Sequence, residues 1–87
     1  MTFCGMNTAD REKRKKDLLI LIGQNIRRIR KEKGWSQERL AHESDVDRTY
    51  LGYVENGKHN VSIFLLFDLA EALDVEIHQL IHILDSD

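Results

Sequence analysis

Apolar positions recur at helical spacing along the 87-residue chain, and residues that start or stop helices interrupt them at short intervals. Leu18, Leu19, Ile22, Ile26 and Ile29 keep to one helical face. Thr8 or Asp10 can cap this first helix. Gly34 stands where a glycine commonly ends one, after Lys31 and Lys33, whose charges suit the negative helix end. Gly23 weakens the segment by about 1 kcal/mol relative to alanine and offers an alternative start for the domain's own first helix. Trp35 falls between the first and second helices and is expected to close the core edge. Ser36 is an N-cap for a short helix with Leu40 and Ala41 as its apolar stripe. That helix fails at Ser44 and Asp45, poor interior residues that bond locally to the backbone, and Asp45 tolerates the left-handed conformation. Asp47 is the next N-cap, and Tyr50, Leu51 and Val54 form one stripe before the Asn56-Gly57 stop. Ser62 caps a fourth helix, IFLLFDLAEAL, that ends near Asp74. Residues 75–84 give a last one, with Ile77, Leu80, Ile81 and Leu84 at i, i+3, i+4 and i+7.

No period-two run of β-branched residues appears, so the pattern predicts an all-α fold of five helices with short connections. Residues 36–54 form its centre. Two short helices with a tight turn between them are the layout of a helix-turn-helix. The second leaves Arg48, Thr49, Gly52 and Tyr53 on the face its core does not use. Residues 1–17 read as a basic, partly flexible N-terminal extension and residues 18–84 as the folded domain.

Composition adds little to this, but charge order does. Hydrophobic residues make up 41% and charged residues 32%, as in ordinary globular chains. The net charge of −2 argues at first against a nucleic-acid partner. Its distribution reverses the point: residues 1–35 carry +6, residues 36–61 carry −2 and residues 62–87 carry −6. A chain basic at one end and acidic at the other can turn one face to phosphates while its total stays near neutral. One cysteine, Cys4, cannot form an internal disulfide, which fits a reducing compartment. No apolar run approaches the roughly 20 residues that span a bilayer, and the N-terminus lacks the order of a signal peptide. A cytoplasmic location is the expectation.

Catalytic chemistry finds no support. The four histidines are His42, His59, His78 and His82. His78 and His82 fall at i, i+4 on the predicted last helix, but no HExxH pattern or cysteine pair accompanies them. Neither a glycine-rich phosphate loop nor a family context for a Ser/His/Asp triad is present. No metal, cofactor or small-molecule ligand is expected.

From Ile22 to Ile81 the chain resembles the Cro/C1-type (XRE) helix-turn-helix family of phage repressors and related regulators. The resemblance rests on SQERLA, the V-x-R-T-Y-L run, E-N-G and S-x-x-x-L-x-x-L-A-x-A-L. Within that family, DRTYLGYVENGKHNVS is similar to the controller proteins of restriction–modification systems. Phage repressors and antitoxins share the scaffold and supply the alternative reading; an antitoxin would need a toxin-binding segment, for which the stretch after Ile81 leaves little room. Asp45 departs from the glycine usual in the turn. Phe64 and Leu65 depart from the usual polar residues, which implies a cover over them.

The resemblance implies a homodimer on double-stranded, palindromic operator DNA, with the second motif helix in the major groove. Arg48, Thr49, Tyr50 and Tyr53 are the expected base contacts; an arginine can donate two parallel bonds to guanine O6 and N7. Gln37, at a helix N-terminus, is an expected phosphate contact, with Arg39, Lys58, Asn60 and Ser62. Glu55, acidic beside this face, is expected to be structural and paired with Arg30 or Arg39. Phe64, Leu65, Phe67, Ile77 and Ile81 are the expected dimer interface, with Leu66, Leu69, Ala70, Leu73 and Leu80 lining the core instead.

Overall fold

The computed structural model describes residues 8–82, and among them every regular element is a helix. The five are α1 (Thr8–Glu32), α2 (Gln37–Ser44), α3 (Arg48–Glu55), α4 (Ile63–Leu73) and α5 (Ile77–Leu80). Cys4 and Leu84 lie outside the described residues. No described helix is long and apolar enough to cross a membrane.

Local chemistry sets these boundaries. The Ser36, Asp47 and Ser62 side chains each accept a bond from the backbone N–H three residues on, at 3.0, 3.1 and 3.0 Å. Each satisfies one orphan donor of α2, α3 and α4 respectively. The helix ends share one design too. Gly34, Asp45, Gly57 and Asp74 all take the left-handed conformation, with φ between 58° and 76°. After each, the next N–H reaches back five residues: Trp35 to Arg30, Val46 to Ala41, Lys58 to Tyr53 and Val75 to Ala70, at 2.9–3.0 Å. Aspartate therefore does at two stops what glycine does at the other two.

Helices as short as α2 and α3 are not stable alone; packing must hold them. α1 lies on α3, α4 and α5, while α2 contacts α3 and α4. Ile22, Ile26 and Ile29 of α1 meet Leu40 and Ala41 of α2, Leu51 and Val54 of α3, and Leu80 of α5 in one core. From α4 come Leu65, Leu66, Leu69, Ala70 and Leu73. Trp35 is half-buried against this core edge, between Lys33 (5.1 Å) and Arg39 (4.5 Å), each within cation–π range of its ring.

Three expectations need correction. Leu65 does not share an exposed face with Phe64: it is 9% exposed and Phe64 78%. One residue turns a helix by about 100°, which brings Leu65 beside Leu69 and carries Phe64 away. The last helix is shorter than residues 75–84. The Asp74 stop pushes its start to the Glu76 cap, where Gln79 Oε1 accepts the Glu76 N–H at 3.0 Å. At its other end the buried Asn25 side chain donates to the Leu80 and His82 carbonyls at 3.0 and 2.9 Å. His82 therefore lies beyond α5 and does not form an i, i+4 helical pair with His78. Third, Gly23 is not a helix start. It is buried within a continuous α1, and a Cβ there would lie 2.6 Å from the Val54 carbonyl oxygen and closer still to that of Glu55. The missing side chain lets α1 touch the C-terminal end of α3.

Candidate nucleic-acid interface

The outer face of α3 is positioned from its buried end. Arg30 of α1 and Glu55, the last residue of α3, form a two-pronged ion pair: Nε to Oε2 at 2.7 Å and Nη2 to Oε1 at 2.9 Å. Their side chains are 8% and 1% exposed. Arg30 Nη1 also donates to the Trp35 carbonyl at 2.8 Å, and Gln37 Nε2 donates to Glu55 Oε1 at 2.9 Å. One carboxylate thus joins α1, the α1–α2 turn, the start of α2 and the end of α3. Of the two partners expected for Glu55, it takes Arg30. Arg39 instead bonds Glu43 at 3.0 Å, on the surface.

The opposite end of α3 is open. Arg48 and Thr49 are exposed, and among the described residues neither side chain has a polar partner. A guanidinium so placed keeps all five donors for a partner. Asp47 accepts the Tyr50 N–H and keeps the first turn fixed beneath them. Tyr53 is 45% exposed on the same helix. Tyr50 is half-buried against the core, with its hydroxyl donating to the Asn60 carbonyl at 3.4 Å. Its ring packs against the core cluster and against His59.

Around α3, four of the expected phosphate contacts are exposed and one is not. Arg39, Lys58, Asn60 and Ser62 are exposed, whereas Gln37 is half-buried with its side-chain amide on Glu55. Its backbone N–H and that of Glu38 precede the first hydrogen bonds of α2 and point from the helix N-terminus, a geometry suited to a phosphate oxygen. Ser62 is committed as the α4 cap through its oxygen. At Gly52 a Cβ would meet only Gln37 Oε1, at 3.8 Å, so packing inside the protein does not require a glycine there.

His59 is a contributor that the sequence pattern does not single out. Its ring lies 5.4 Å from that of Tyr50 and 5.1 Å from that of Tyr53, which ties the loop after α3 to the helix. Proximity in sequence was the only available signal. Asn25 was missed for a different reason: its partners are 55 and 57 residues away.

The apolar residues expected at a dimer contact separate into groups. Phe67 and Ile77 line one shallow cleft at the α4–α5 corner. Ile81 lines a second groove with Ile63 and Leu18. Phe64 protrudes from the first turn of α4, and Ile63 beside it is 58% exposed. Leu65 is in the core.

A helix-turn-helix family profile, HTH_3, matches residues 26–80. A hypothetical transcription factor from Neisseria meningitidis serogroup B is 40% identical over 65 residues, which make up 75% of this chain and 61% of that protein's length. The crystal structure of the restriction–modification controller protein C.AhdI from Aeromonas hydrophila is similar, with a TM-score of 0.70 and 48% identity over 71% of this chain and 94% of that one. So is the controller protein C.Esp1396I, crystallised as a tetramer with its natural 35 base-pair operator. Its TM-score is 0.65 at 39% identity, over 68% of this chain and 78% of that one.

The Arg30–Glu55 node has a measurable consequence for stability. Glu55→Ala leaves the Arg30 charge buried without its carboxylate, a change that costs about 3–5 kcal/mol in such pairs. Urea unfolding is expected to show a loss of that order. A loss under about 1 kcal/mol, the range of an exposed pair, would mean that the pair does not hold α3.

Proposed function

The chain belongs to the HTH_3 helix-turn-helix family of DNA-binding transcriptional regulators, and on that footing we propose that it acts as a homodimer on a palindromic operator, as the controller of a restriction–modification system. One observation carries the reading: α3 is anchored through buried Glu55 at one end and presents unpartnered Arg48 and Thr49 at the other. A rigid helix with free donors at its N-terminal end suits base edges in a major groove. Similarity to two controller proteins, one of them crystallised on its operator, supports the finer assignment.

In this reading Arg48 and Thr49 contact bases and Tyr53 reaches a base or a phosphate. Tyr50, half-buried beside them, is a further base contact. Arg39, Lys58, Asn60 and the backbone at Gln37 hold phosphates, while Ser62 contributes through the α4 terminus it caps. Phosphate contacts fix register and base contacts carry sequence information. Arg48→Ala is therefore expected to relax preference at one base position per half-site, at about 1–3 kcal/mol. Lys58→Ala is expected to weaken binding to all duplexes alike and to flatten the salt dependence. Binding isotherms on a panel of single-base variants separate the two. Uniform weakening by both substitutions would remove Arg48 from the base-reading role.

A single helix reads few bases, so the reading requires pairing, with the two α3 helices about 34 Å apart. Phe64, Phe67, Ile77 and Ile81, with Ile63, form the apolar surface proposed for an isologous contact. Phe64 and Phe67 are 78% and 49% exposed, and apolar exposure of this kind marks a partner site. Sedimentation equilibrium is expected to give a dimer for the wild type and a monomer for Phe64→Asp/Phe67→Asp. A double variant that still pairs as the wild type does would place the contact elsewhere.

A further inference from the structure

α1 begins 14 residues before its first core residue, Ile22, and within that stretch residues 11–16 hold five cations and one carboxylate. Residues 8–21 alone extend roughly 21 Å at the helical rise. They precede the stretch shared with the family, which begins at residue 26. Their placement is specific: Lys15 and Lys16 form one wall of a groove whose other wall is Lys58, His59 and Asn60 of the loop after α3. We infer that this groove grips the phosphodiester backbone of DNA outside the base pairs read by α3. The inference rests on the DNA-binding reading above and extends it to a segment that reading does not use.

Both walls are held in place. Leu19 and Ile20, one turn after Lys15 and Lys16, form the floor. Ile20 packs directly on Gly57, where an added Cβ would fall 2.8–3.0 Å from Ile20 atoms. The loop wall is fixed separately, by the Tyr50 hydroxyl on the Asn60 carbonyl and by His59 against Tyr50 and Tyr53. Those interactions also make the groove continuous with the outer face of α3.

Its charge suits a polyanion. Three lysines face one carboxylate, Glu12, which lies 3.6 Å from Lys15 Nζ. Lys16 and Lys58 have no ion-pair partner among the described residues. Lysine ammonium groups are mobile point charges that bind phosphate without needing a fixed geometry, and the Asn60 amide adds neutral donors. Lys13 turns away from the groove, to Asp17 at 2.9 Å. The acidic α4–α5 region of a second copy is the competing occupant, but one wall of the groove is the loop that follows α3, and its His59 lies against Tyr53, exposed on that helix.

The test compares wild type, Lys15→Gln/Lys16→Gln and the control Lys13→Gln/Arg14→Gln, all at helix-compatible exposed positions. Affinity is measured across a salt series on a selected duplex with and without flanking base pairs. The groove variant is expected to lower the slope of log K against log salt by about 0.9 for each phosphate that it no longer neutralises. The gain that flanking DNA gives the wild type should disappear in it, with base preference unchanged and the control much less affected. A groove variant that matches wild type, or a control that weakens as much, overturns the inference while leaving the DNA-binding reading intact. A weakening traced by sedimentation to poorer self-association overturns it in favour of a second copy. If the wild type prefers no duplex at all, the DNA-binding reading fails and the inference fails with it.

Discussion

A buried carboxylate at the end of α3 governs how this molecule presents its outer face. Glu55 takes two bonds from Arg30 and one from Gln37, and Arg30 spends its remaining reach on the Trp35 carbonyl. Removing two charges from water is costly, and such pairs hold only when the surrounding bonds are complete. Here they are complete: among the described residues no buried side-chain polar atom lacks a partner. The result is directional. α3 is fixed at its C-terminal end, by the ion pair and by Gly23 pressed against its last carbonyls. Its N-terminal end is left with free donors.

The remaining helices follow from repeated local devices. Oxygen-bearing side chains open α2, α3 and α4, and a left-handed residue closes each of the first four helices. With these stops fixed, the connections are short and the apolar stripes meet in one core. Function divides along the same lines. Cations gather on α1 and around α3, whereas residues 62–87 contain no lysine or arginine and present the exposed phenylalanines. The proposed phosphate contacts draw on the first group and the proposed self-association on the second.

Much of this was legible in the residues. Caps at Ser36, Asp47 and Ser62 and the stops at Asp45 and Asp74 depend on side-chain-to-backbone chemistry within a few residues, which sequence carries directly. So do the core stripes of α1 and α4. What was not legible depended on rotation or distance. Phe64 and Leu65 are equally apolar neighbours, and only the packing of α4 decides which is inside. Glu55 had two arginines to choose between, and the crossing of α1 over α3 chose Arg30. Asn25 ends α5 from another helix, so periodicity alone ran the last helix on to residue 84. The exposure of Arg48 and Thr49 was legible because nothing in the core competes for them; the bond from the Gln37 amide to Glu55 was not, because its partner is 18 residues away.

The central claim is that two copies of a rigidly held α3 read DNA as a symmetric pair. Selection of bound duplexes from a pool with a randomised central region tests it most directly. The account predicts enrichment of an inverted repeat, with half-site centres about 10 base pairs, one DNA turn, apart and a guanine in each half-site. Enrichment of a single unsymmetric site, or of no sequence at all, would contradict it.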